Sequence, residues 1–550
     1  MATATWQPRQ EGVDQIVTLL TQYQQPGVDH AQIFAQLQHF SNFPDFNNYL
    51  VFIFASGTYP VEVRQAAGLL LKNNLKTAFL TTAPEFQAFI RHHVLRSIGS
   101  ENSQIRSTTG TLVSVIAVAG GVSTWPEMTM AIAQCLYSEE LHHMEGALDA
   151  LFKICEDIPA ELDKEVKGLA DTPANMFIPR LLALFKSPHA QLRRFSIGCV
   201  NQMLTTMPRA LYGTRGENLE LYLNELFSLR NDQSKDVRKL VCSGLVLMLS
   251  VQPEVLYEHL RELISFMLQS TQDPDPEVAL ESCEFWSAFC ESQLPEEYAP
   301  ILKEFLPRLI PVLLHNMVYE DDAEEVIDAE ADDSHADCPD RDQDIKPFIM
   351  QKAAVGEDGE EEDNDEVNTW NLRKCSAASL DILSTLYRDD LLQYILPIVQ
   401  ERLTNPDWKV RESAILALGA VADGCAHGLL GYLPQLVQFL VPMLEDPRPL
   451  VRSITCWSLS RFSKWLVENA LGMMPGPDGK PVSPQQQEQM KAFGQQQLDT
   501  VLAALLRHVL DSNKRVQEAA CSAVATLEEE AGNRNLLGSR VEGILQHLMV

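Results

Sequence analysis

The sequence predicts an all-α protein in which pairs of helices stack on one another to form a solenoid. Three observations support this: a turn-and-helix pattern returns roughly every 41 residues, the apolar residues within it follow a helical period, and alternating strand patterns bounded by glycine turns are missing. The chain has 550 residues, 45% of them hydrophobic, so it can bury a large core.

The recurring pattern is an acidic or small turn, then an aliphatic residue and usually a basic one, which open a helix rich in Ala, Leu, Val and Cys. We call the aliphatic residues cue positions; they are Val63, Ile105, Leu192, Val237, Val278, Leu372, Val410, Val451 and Val516. Steps of 42, 45, 41, 38 and 41 residues dominate, and the step of 87 after Ile105 fits two repeats with a weaker copy near HHMEGALDALFKICED. Proline-containing helices such as YLPQLVQFLVPMLED lie between the cues. Each repeat is therefore predicted to be a helix pair whose second helix opens at the cue.

Helix pairs of this length have the period of HEAT or armadillo repeats. One pair cannot bury its apolar face alone, so neighbouring pairs must stack. A coiled coil is excluded because no heptad pattern is sustained. The fold class that follows is an α-solenoid of HEAT repeats with about 11–12 helix pairs.

Composition and charge narrow the possible functions. The net charge of −32 argues against direct binding of nucleic acid, which needs clustered Lys and Arg, and favours basic partners. The start of the chain lacks the order of a signal peptide, and no run approaches the ~20 apolar residues of a membrane helix, so we expect a soluble protein without membrane insertion. The eleven cysteines lack metal-site or disulfide spacing, and catalytic motifs such as GxSxG and HExxH are missing. We therefore expect a protein that is not an enzyme and needs no cofactor or metal.

The repeat period is first interrupted between Val278 and Leu372. Residues 320–366 contain 21 Asp and Glu against three basic residues. Such a segment repels itself too strongly to pack as a helix, so we predict a mobile acidic loop at 319–369, inserted between the two helices of one repeat. It could simply keep the protein soluble, but its internal position favours a regulatory role in which it competes with a basic ligand.

A second interruption and the end of the chain complete the predicted organisation. The 65 residues from Val451 to Val516 include a stretch rich in Pro, Gly and Gln, which predicts a surface loop at 470–497. The last residues resemble the first helix of a repeat without its partner, so we expect an incomplete last repeat. HEAT repeats are thus predicted at 1–318 and at 370–550, on either side of the acidic loop.

Second helices line the inside of a solenoid, so positions about 6, 9 or 10 and 13 or 14 residues after each cue share one face. After the last four cues these residues are Ala378, Asp381 and Thr385; Leu416, Gly419 and Asp423; Trp457, Ser460 and Trp465; and Ser522, Thr526 and Glu529. Small residues let an extended peptide lie close, carboxylates suit Arg and Lys, and Trp465 offers a stacking face. The strip predicts binding of a basic, unfolded segment. Two alternatives stay open, because Trp457 equally fits the core and Asp381 equally fits a pair with a neighbouring side chain.

Several long motifs resemble the transportin group of the karyopherin-β (importin-β) family, over most of the chain and in the same order. They are PDFNNYL (44–50), GLLLKNNLK (68–76), ALESCEFW (279–286), FLPRLIPVLL (305–314), WNLRKCSAAS (370–379), LVRSITCWSLSRF (450–462) and LDSNKRVQEAACSAVATLEEEA (510–531). The acidic insertion falls where this family carries an acidic loop. Members of this family continue into further repeats, so the resemblance implies that this chain corresponds to the N-terminal portion of such a receptor.

The resemblance implies a nuclear import receptor that shuttles between cytoplasm and nucleus. Such receptors bind basic, disordered Pro-Tyr-type nuclear localisation signals, often of RNA-binding proteins, pass the pore through nucleoporins, and release cargo on binding the GTP form of the small GTPase Ran. Segment 41–76 resembles the Ran-binding region. The residues implied as cargo contacts are Ala378, Asp381, Leu416, Trp457, Phe462, Trp465, Thr526 and Glu529. The alternative is a generic HEAT-repeat scaffold or regulatory subunit without GTPase dependence.

Overall fold

The computed structural model describes residues 6–25, 27–212, 217–292, 298–320, 370–473 and 483–532. Across these ranges the backbone forms helices and turns and contains no strand. The chain divides into two compact units, Met1–Val255 and Leu256–Val550. The predicted all-α class is confirmed.

The first unit consists of consecutive helix pairs. Its α-helices are α1 Gln10–Tyr23, α2 His30–Phe40, α3 Phe46–Ala55, α4 Val61–Ala78, α5 Pro84–Leu95, α6 Ser103–Gly120, α7 Pro126–Leu136, α8 Leu141–Asp157, α9 Pro173–Leu184, α10 Ala190–Leu204, α11 Arg209–Tyr212, α12 Glu217–Ser228 and α13 Lys235–Val251. The second helices α4, α6, α8, α10 and α13 pack against one another in that order. The weaker repeat copy predicted between Ile105 and Leu192 corresponds to α8.

The second unit repeats this arrangement. Its α-helices are α14 Leu260–Ser270, α15 Pro276–Glu291, α16 Ala299–Lys303, α17 Leu306–Asn316, α18 Leu372–Tyr387, α19 Leu392–Leu403, α20 Trp408–Ala420, α21 Ala426–Leu429, α22 Leu433–Met443, α23 Pro449–Arg461, α24 Ser463–Ala470, α25 Pro484–His508 and α26 Lys514–Ala531. The second helices α15, α18, α20, α23 and α26 again pack in order.

Every cue position lies in the first turn of a second helix. Val451, for example, is the third residue of α23 and is fully buried, as the cue pattern requires. The described ranges contain eleven packed helix pairs, which agrees with the predicted number. The HEAT-type solenoid is therefore confirmed.

The basic residue after the cue has a structural role that one turn of the second unit illustrates. Asp446 lies in the turn before α23, where its Oδ1 accepts the backbone N–H of Arg448 at 2.9 Å. Its Oδ2 accepts a hydrogen bond from Nη2 of Arg411 at 3.0 Å, and Arg411 also donates to the carbonyl oxygen of Asn405 at 2.9 Å. Arg411 thus ties the turn of its own helix pair to the turn of the next pair.

We call this recurring contact the Arg–Asp ladder. Three of its rungs are Arg193–Asp232 in the first unit and Arg411–Asp446 and Arg452–Asp511 in the second. The three carboxylates are only 5%, 6% and 7% exposed, so each is a nearly buried charge that needs its partner. The ladder explains why the sequence pattern joins an acidic turn to a basic residue.

The predicted loop at 470–497 is wrong from Pro484 onward, where α25 begins. Ser483 and Gln486 form a reciprocal capping box, with Gln486 N donating to Ser483 Oγ at 3.3 Å and Ser483 N donating to Gln486 Oε1 at 3.1 Å. Proline is well tolerated at a first helical position and glutamine is a good helix former, so the composition did not require a loop. Residues 474–482 lie outside the described ranges.

The helices on either side of the acidic insertion, α17 and α18, pack as one pair, so the insertion lies within a repeat as predicted. Just before it, the ring of Tyr319 lies 6.2 Å from that of Trp408 and under the guanidinium of Arg373, at 4.0 Å. Just after it, Trp370 Nε1 donates to Glu284 Oε1 at 2.5 Å. Because α17 and α18 pack together, the compact units divide at residue 255 and not at the insertion. The mobile loop was predicted at 319–369, and from residue 321 onward it lies outside the described residues, as do residues 533–550, where the incomplete last repeat was predicted.

In the described part of the chain, no single helix is long and apolar enough to cross a membrane. One bent pair, Lys235–Val251 with Pro253–Ser270, meets the same criteria of length and composition.

The ion pair between Arg452 and Asp511 predicts that the second unit loses stability at low pH. Burial disfavours the charged carboxylate, but hydrogen bonds from His508 and Arg452 outweigh it and hold the pKa of Asp511 at about 2. A carboxylate with a lowered folded-state pKa stabilises the fold above its ordinary pKa, and this contribution is lost as the pH falls from about 4 to about 2. Asp511→Asn should therefore lower the free energy of unfolding of the second unit by about 2 kcal/mol at pH 7 and by less as the pH approaches 3. Urea denaturation followed by circular dichroism measures this.

The exposed Glu262→Gln on α14 is the matched control, and it should change little at either pH. A difference between Asp511→Asn and the wild type that stays constant from pH 7 to pH 3 would contradict the assignment.

The cap of α25 gives a second prediction. Ser483→Ala removes the hydroxyl that accepts the backbone N–H of Gln486 and should destabilise the first turn of the helix by about 1 kcal/mol. Faster amide hydrogen exchange confined to that turn is the expected result. Thr500→Ala in the same helix is the control, because its hydroxyl only donates back to the carbonyl of Gln496. Unchanged exchange after Ser483→Ala would show that the cap does not hold the helix end.

Candidate peptide-binding site

Most of the residues predicted to bind a basic segment lie on second helices of the second unit. We call them the second-helix strip: Ala378, Asp381 and Thr385 on α18, Leu416, Gly419 and Asp423 on or just after α20, Trp457, Ser460 and Trp465 on α23 and α24, and Ser522, Thr526 and Glu529 on α26. Because α18, α20, α23 and α26 pack side by side in order, the strip crosses one layer of helices.

Arg461, at the end of α23, joins three helix pairs at the middle of the strip. Its Nη2 lies 3.3 Å from Oδ1 of Asp381 and 2.7 Å from Oδ2 of Asp423. Its Nε donates to the carbonyl oxygen of Gly419 at 3.2 Å, and its guanidinium carbon lies 5.9 Å from the ring centroid of Trp457. We call these residues the Arg461 cluster. The cluster combines two carboxylates, one guanidinium and one indole.

For Trp457 the sequence left open whether the side chain packs in the core or faces a ligand. The side chain is half-buried, so it contributes both to packing and to the surface. Its ring lies directly on Gly419, where an added Cβ would be 2.3 Å from Cζ3 of the indole. Only glycine fits beneath the ring, and the close approach of α20 and α23 at this point depends on it.

For Asp381 the sequence left open whether the carboxylate faces a ligand or pairs with a neighbouring side chain. In the structure it pairs with a neighbour and also remains accessible. It is bound to Arg461, yet its side chain is 41% exposed. Burial raises the pKa of the Asp381 carboxyl, Arg461 opposes this, and the nearby charge of Asp423 adds to it. The group is a carboxylate held in place but open on one side.

Three predicted contact residues are part of the packing. Leu416 is 2% exposed, Phe462 3% and Trp465 9%, so the expectation that they present accessible ligand surface is not met. For Phe462 and Trp465 the reason is a break in the helix, since α23 ends at Arg461 and α24 begins at Ser463. Leu416 lies instead within the continuous helix α20, in which residues 412–420 are all buried. The prediction for Trp465 assumed that the helix continues from the cue Val451. Because the helix breaks at Phe462, Trp465 faces the packing and not the surface of the strip.

The remaining predicted residues are accessible to different degrees. Ala378 is half-buried on α18, and its small side chain leaves room above the helix. Thr526 is half-buried, and its hydroxyl donates to the carbonyl oxygen of Ser522 at 3.0 Å. Glu529 is exposed near the end of α26. The accessible part of the strip therefore consists of small residues, carboxylates and one indole.

Sequence reasoning missed Arg461, although a signal was present. It lies four residues after Trp457 on a predicted helix, and residues spaced by four share a helix face. It also lies ten residues after the cue Val451, a spacing used to define the strip. The predicted strip contains Ser460, nine residues after the cue, in place of Arg461 at the next position.

In the first unit, segment 41–76 comprises α3 and most of α4. Leu69 and Lys76 are exposed on α4 and Lys72 is partly exposed, and their spacing places them on one face. Gly68 packs against Phe54, where an added Cβ would lie 2.7 Å from the ring. This face is basic and apolar, unlike the acidic strip of the second unit.

Comparison with known proteins matches this architecture. The model of the importin-beta N-terminal domain matches residues 35–100, and that of a HEAT-like repeat matches residues 408–462. Transportin-1 of Oryza sativa subsp. japonica is 50% identical over 100% of this chain and 59% of its own length.

Two solved structures share the fold at low sequence identity. One concerns Kap95p and the switch loops of RanGDP, with a TM-score of 0.66, 16% identity, and coverage of 98% of this chain and 58% of that one. The other is a Kap95:Nup1 complex, with a TM-score of 0.69, 17% identity and the same coverage. The chain thus spans about three fifths of the length of the proteins that it matches. With 50% identity to transportin-1 over the whole of this chain and a match to the importin-beta N-terminal domain at residues 35–100, this chain belongs to the transportin group of the importin-β family.

Proposed function

We propose that the chain serves in nuclear import, binding basic, disordered nuclear localisation signals of the Pro-Tyr type on the second-helix strip. The observation that carries this proposal is the Arg461 cluster, in which acidic and aromatic groups from three helix pairs meet on the layer of second helices. The family of the chain supports the same function.

The chemistry of the strip selects a basic and extended ligand. Asp381, Asp423 and Glu529 provide partly or fully exposed carboxylates, which suit the guanidinium of arginine. Ala378 lacks a bulky side chain and is only half-buried, so a peptide backbone can lie close to α18. Trp457 provides a face for a proline, an aromatic ring or a guanidinium. A disordered segment fits because a row of contacts across several helices requires an extended chain.

Two further partners, Ran and nucleoporins, are part of the proposal. The Kap95p structure concerns Ran, and the basic and apolar face of α4 in segment 41–76 is where we place the contact with Ran in its GTP form. The Kap95:Nup1 complex supports an interaction with nucleoporins. We further propose that the chain releases its cargo on binding Ran and shuttles between cytoplasm and nucleus.

A binding experiment tests the strip. Trp457→Ala should weaken binding of an arginine-rich peptide ending in Pro-Tyr by about tenfold or more, because a buried aromatic contact is lost. Asp381→Asn should weaken it by about threefold to tenfold, and by less at high salt, because the lost attraction is screened charge. Fluorescence anisotropy of a labelled peptide at low and physiological salt measures both.

The control for Asp381→Asn is Asp390→Asn in the same unit, where the carboxylate lies 2.5 Å from Lys303 and outside the strip. It should leave the peptide affinity unchanged. Equal effects of the two substitutions would show that only the overall charge matters.

A second experiment tests the GTPase. The chain should bind Ran loaded with a non-hydrolysable GTP analogue at least about tenfold more tightly than Ran loaded with GDP. The double charge reversal Lys72→Glu and Lys76→Glu should reduce this binding and leave peptide binding intact, because the two surfaces lie on different units. Equal affinity for both nucleotide states would favour the scaffold function without GTPase dependence.

A further inference from the structure

Arg461 stands where an arginine of a basic ligand would be expected to bind. Its guanidinium already makes the contacts that the strip offers to a cation: the two carboxylates of Asp381 and Asp423, the carbonyl oxygen of Gly419 and the face of Trp457. In the free protein, the guanidinium of Arg461 therefore occupies the position at which we expect an arginine of the ligand to bind.

The ion pairs of Arg461 are exposed enough for a ligand to replace it at the two carboxylates. The side chain of Arg461 is 28% exposed, that of Asp381 41% and that of Asp423 65%. Ion pairs between partly exposed side chains are weak because water screens them and because holding two long side chains together costs conformational entropy. A ligand can therefore displace Arg461 without opening the helix packing beneath it.

Arg461 also changes the charge that a ligand meets. Two carboxylates alone would present two negative charges, and the guanidinium between them neutralises one. It further covers one face of the indole of Trp457, so a stacking group of the ligand has to move it. Both effects reduce the gain from binding a cationic segment at this point.

We propose that Arg461 determines specificity by competing with the arginines of the ligand for Asp381 and Asp423, an inference that rests on the proposed binding of basic segments to the strip. A segment with few positive charges does not compensate for the displaced contacts. A segment with several arginines and an aromatic residue does, because it replaces every contact that Arg461 gives up. Arg461 thus raises the threshold of positive charge for binding.

The test compares two peptides and two variants. The probes are a synthetic arginine-rich peptide ending in Pro-Tyr and its counterpart with citrulline in place of arginine, which keeps the size and planar shape of the side chain, removes its charge and replaces one N–H₂ donor group by a carbonyl oxygen. Arg461→Gln should tighten binding of the arginine peptide by about threefold to tenfold, because one repelling charge is gone. The citrulline peptide should change much less. Arg461→Lys keeps the charge and should restore most of the wild-type discrimination, which a merely structural tie would not.

The outcomes separate this inference from the proposed function. If the wild type binds neither peptide, the proposed function fails and the competition fails with it. If the wild type binds the arginine peptide and Arg461→Gln weakens or leaves unchanged that binding, the function stands and the competition is wrong.

A measurement without ligand gives independent evidence. The Tm values of Arg461→Gln, Asp381→Asn and the double variant should be non-additive, because the second substitution removes a contact that the first has already broken. Strict additivity would show that Arg461 does not hold Asp381 in the free protein, and the inference would then be wrong whatever the peptides do.

Discussion

The Arg–Asp ladder is the interaction on which the arrangement of the helix pairs depends. Burial of apolar side chains drives the pairs together, but it has no direction and would tolerate sliding of one pair along the next. The nearly buried carboxylates of Asp232, Asp446 and Asp511 each require one particular arginine, and a buried charge without its partner is costly. In the second unit, Arg411 and Arg452 bind Asp446 and Asp511 in the following turns and so set the register of α20, α23 and α26.

This register creates the candidate site. The Arg461 cluster takes Asp381 from α18, Gly419 and Asp423 from α20 and its following turn, and Trp457 with Arg461 from α23. A slip of one pair by a single helical turn would move a side chain by about 5 Å and separate these groups. Gly419 adds a second constraint, since Trp457 can lie across the neighbouring helix only where that helix has no side chain. The same contacts that stack the repeats therefore assemble the surface that we propose binds a ligand.

The interruptions of the repeat have different physical origins. The acidic insertion lies between α17 and α18, which still pack as one pair, so the segment adds charge without dividing the fold. The glutamine-rich segment instead lengthens α25, the first helix of its pair. Its helix-breaking Pro and Gly residues precede the capping box at Ser483, and the glutamines that follow are compatible with a helix. The break at Phe462 is short, yet it turns Phe462 and Trp465 into the core.

The sequence alone determined the class of fold, the helix pairs and the position of each second helix, because a period of apolar residues and a turn signal are local properties of the chain. It also identified the family and brought Asp381 and Trp457 to notice. Only the tertiary structure decided which residues meet. Arg461 joins Asp381 across 80 residues of sequence, and Leu416, Phe462 and Trp465 turn inward, because these outcomes depend on packing between helix pairs and on one break in a helix. Local patterns assign a residue to a face of its own helix, whereas its neighbours on that face come from other helices.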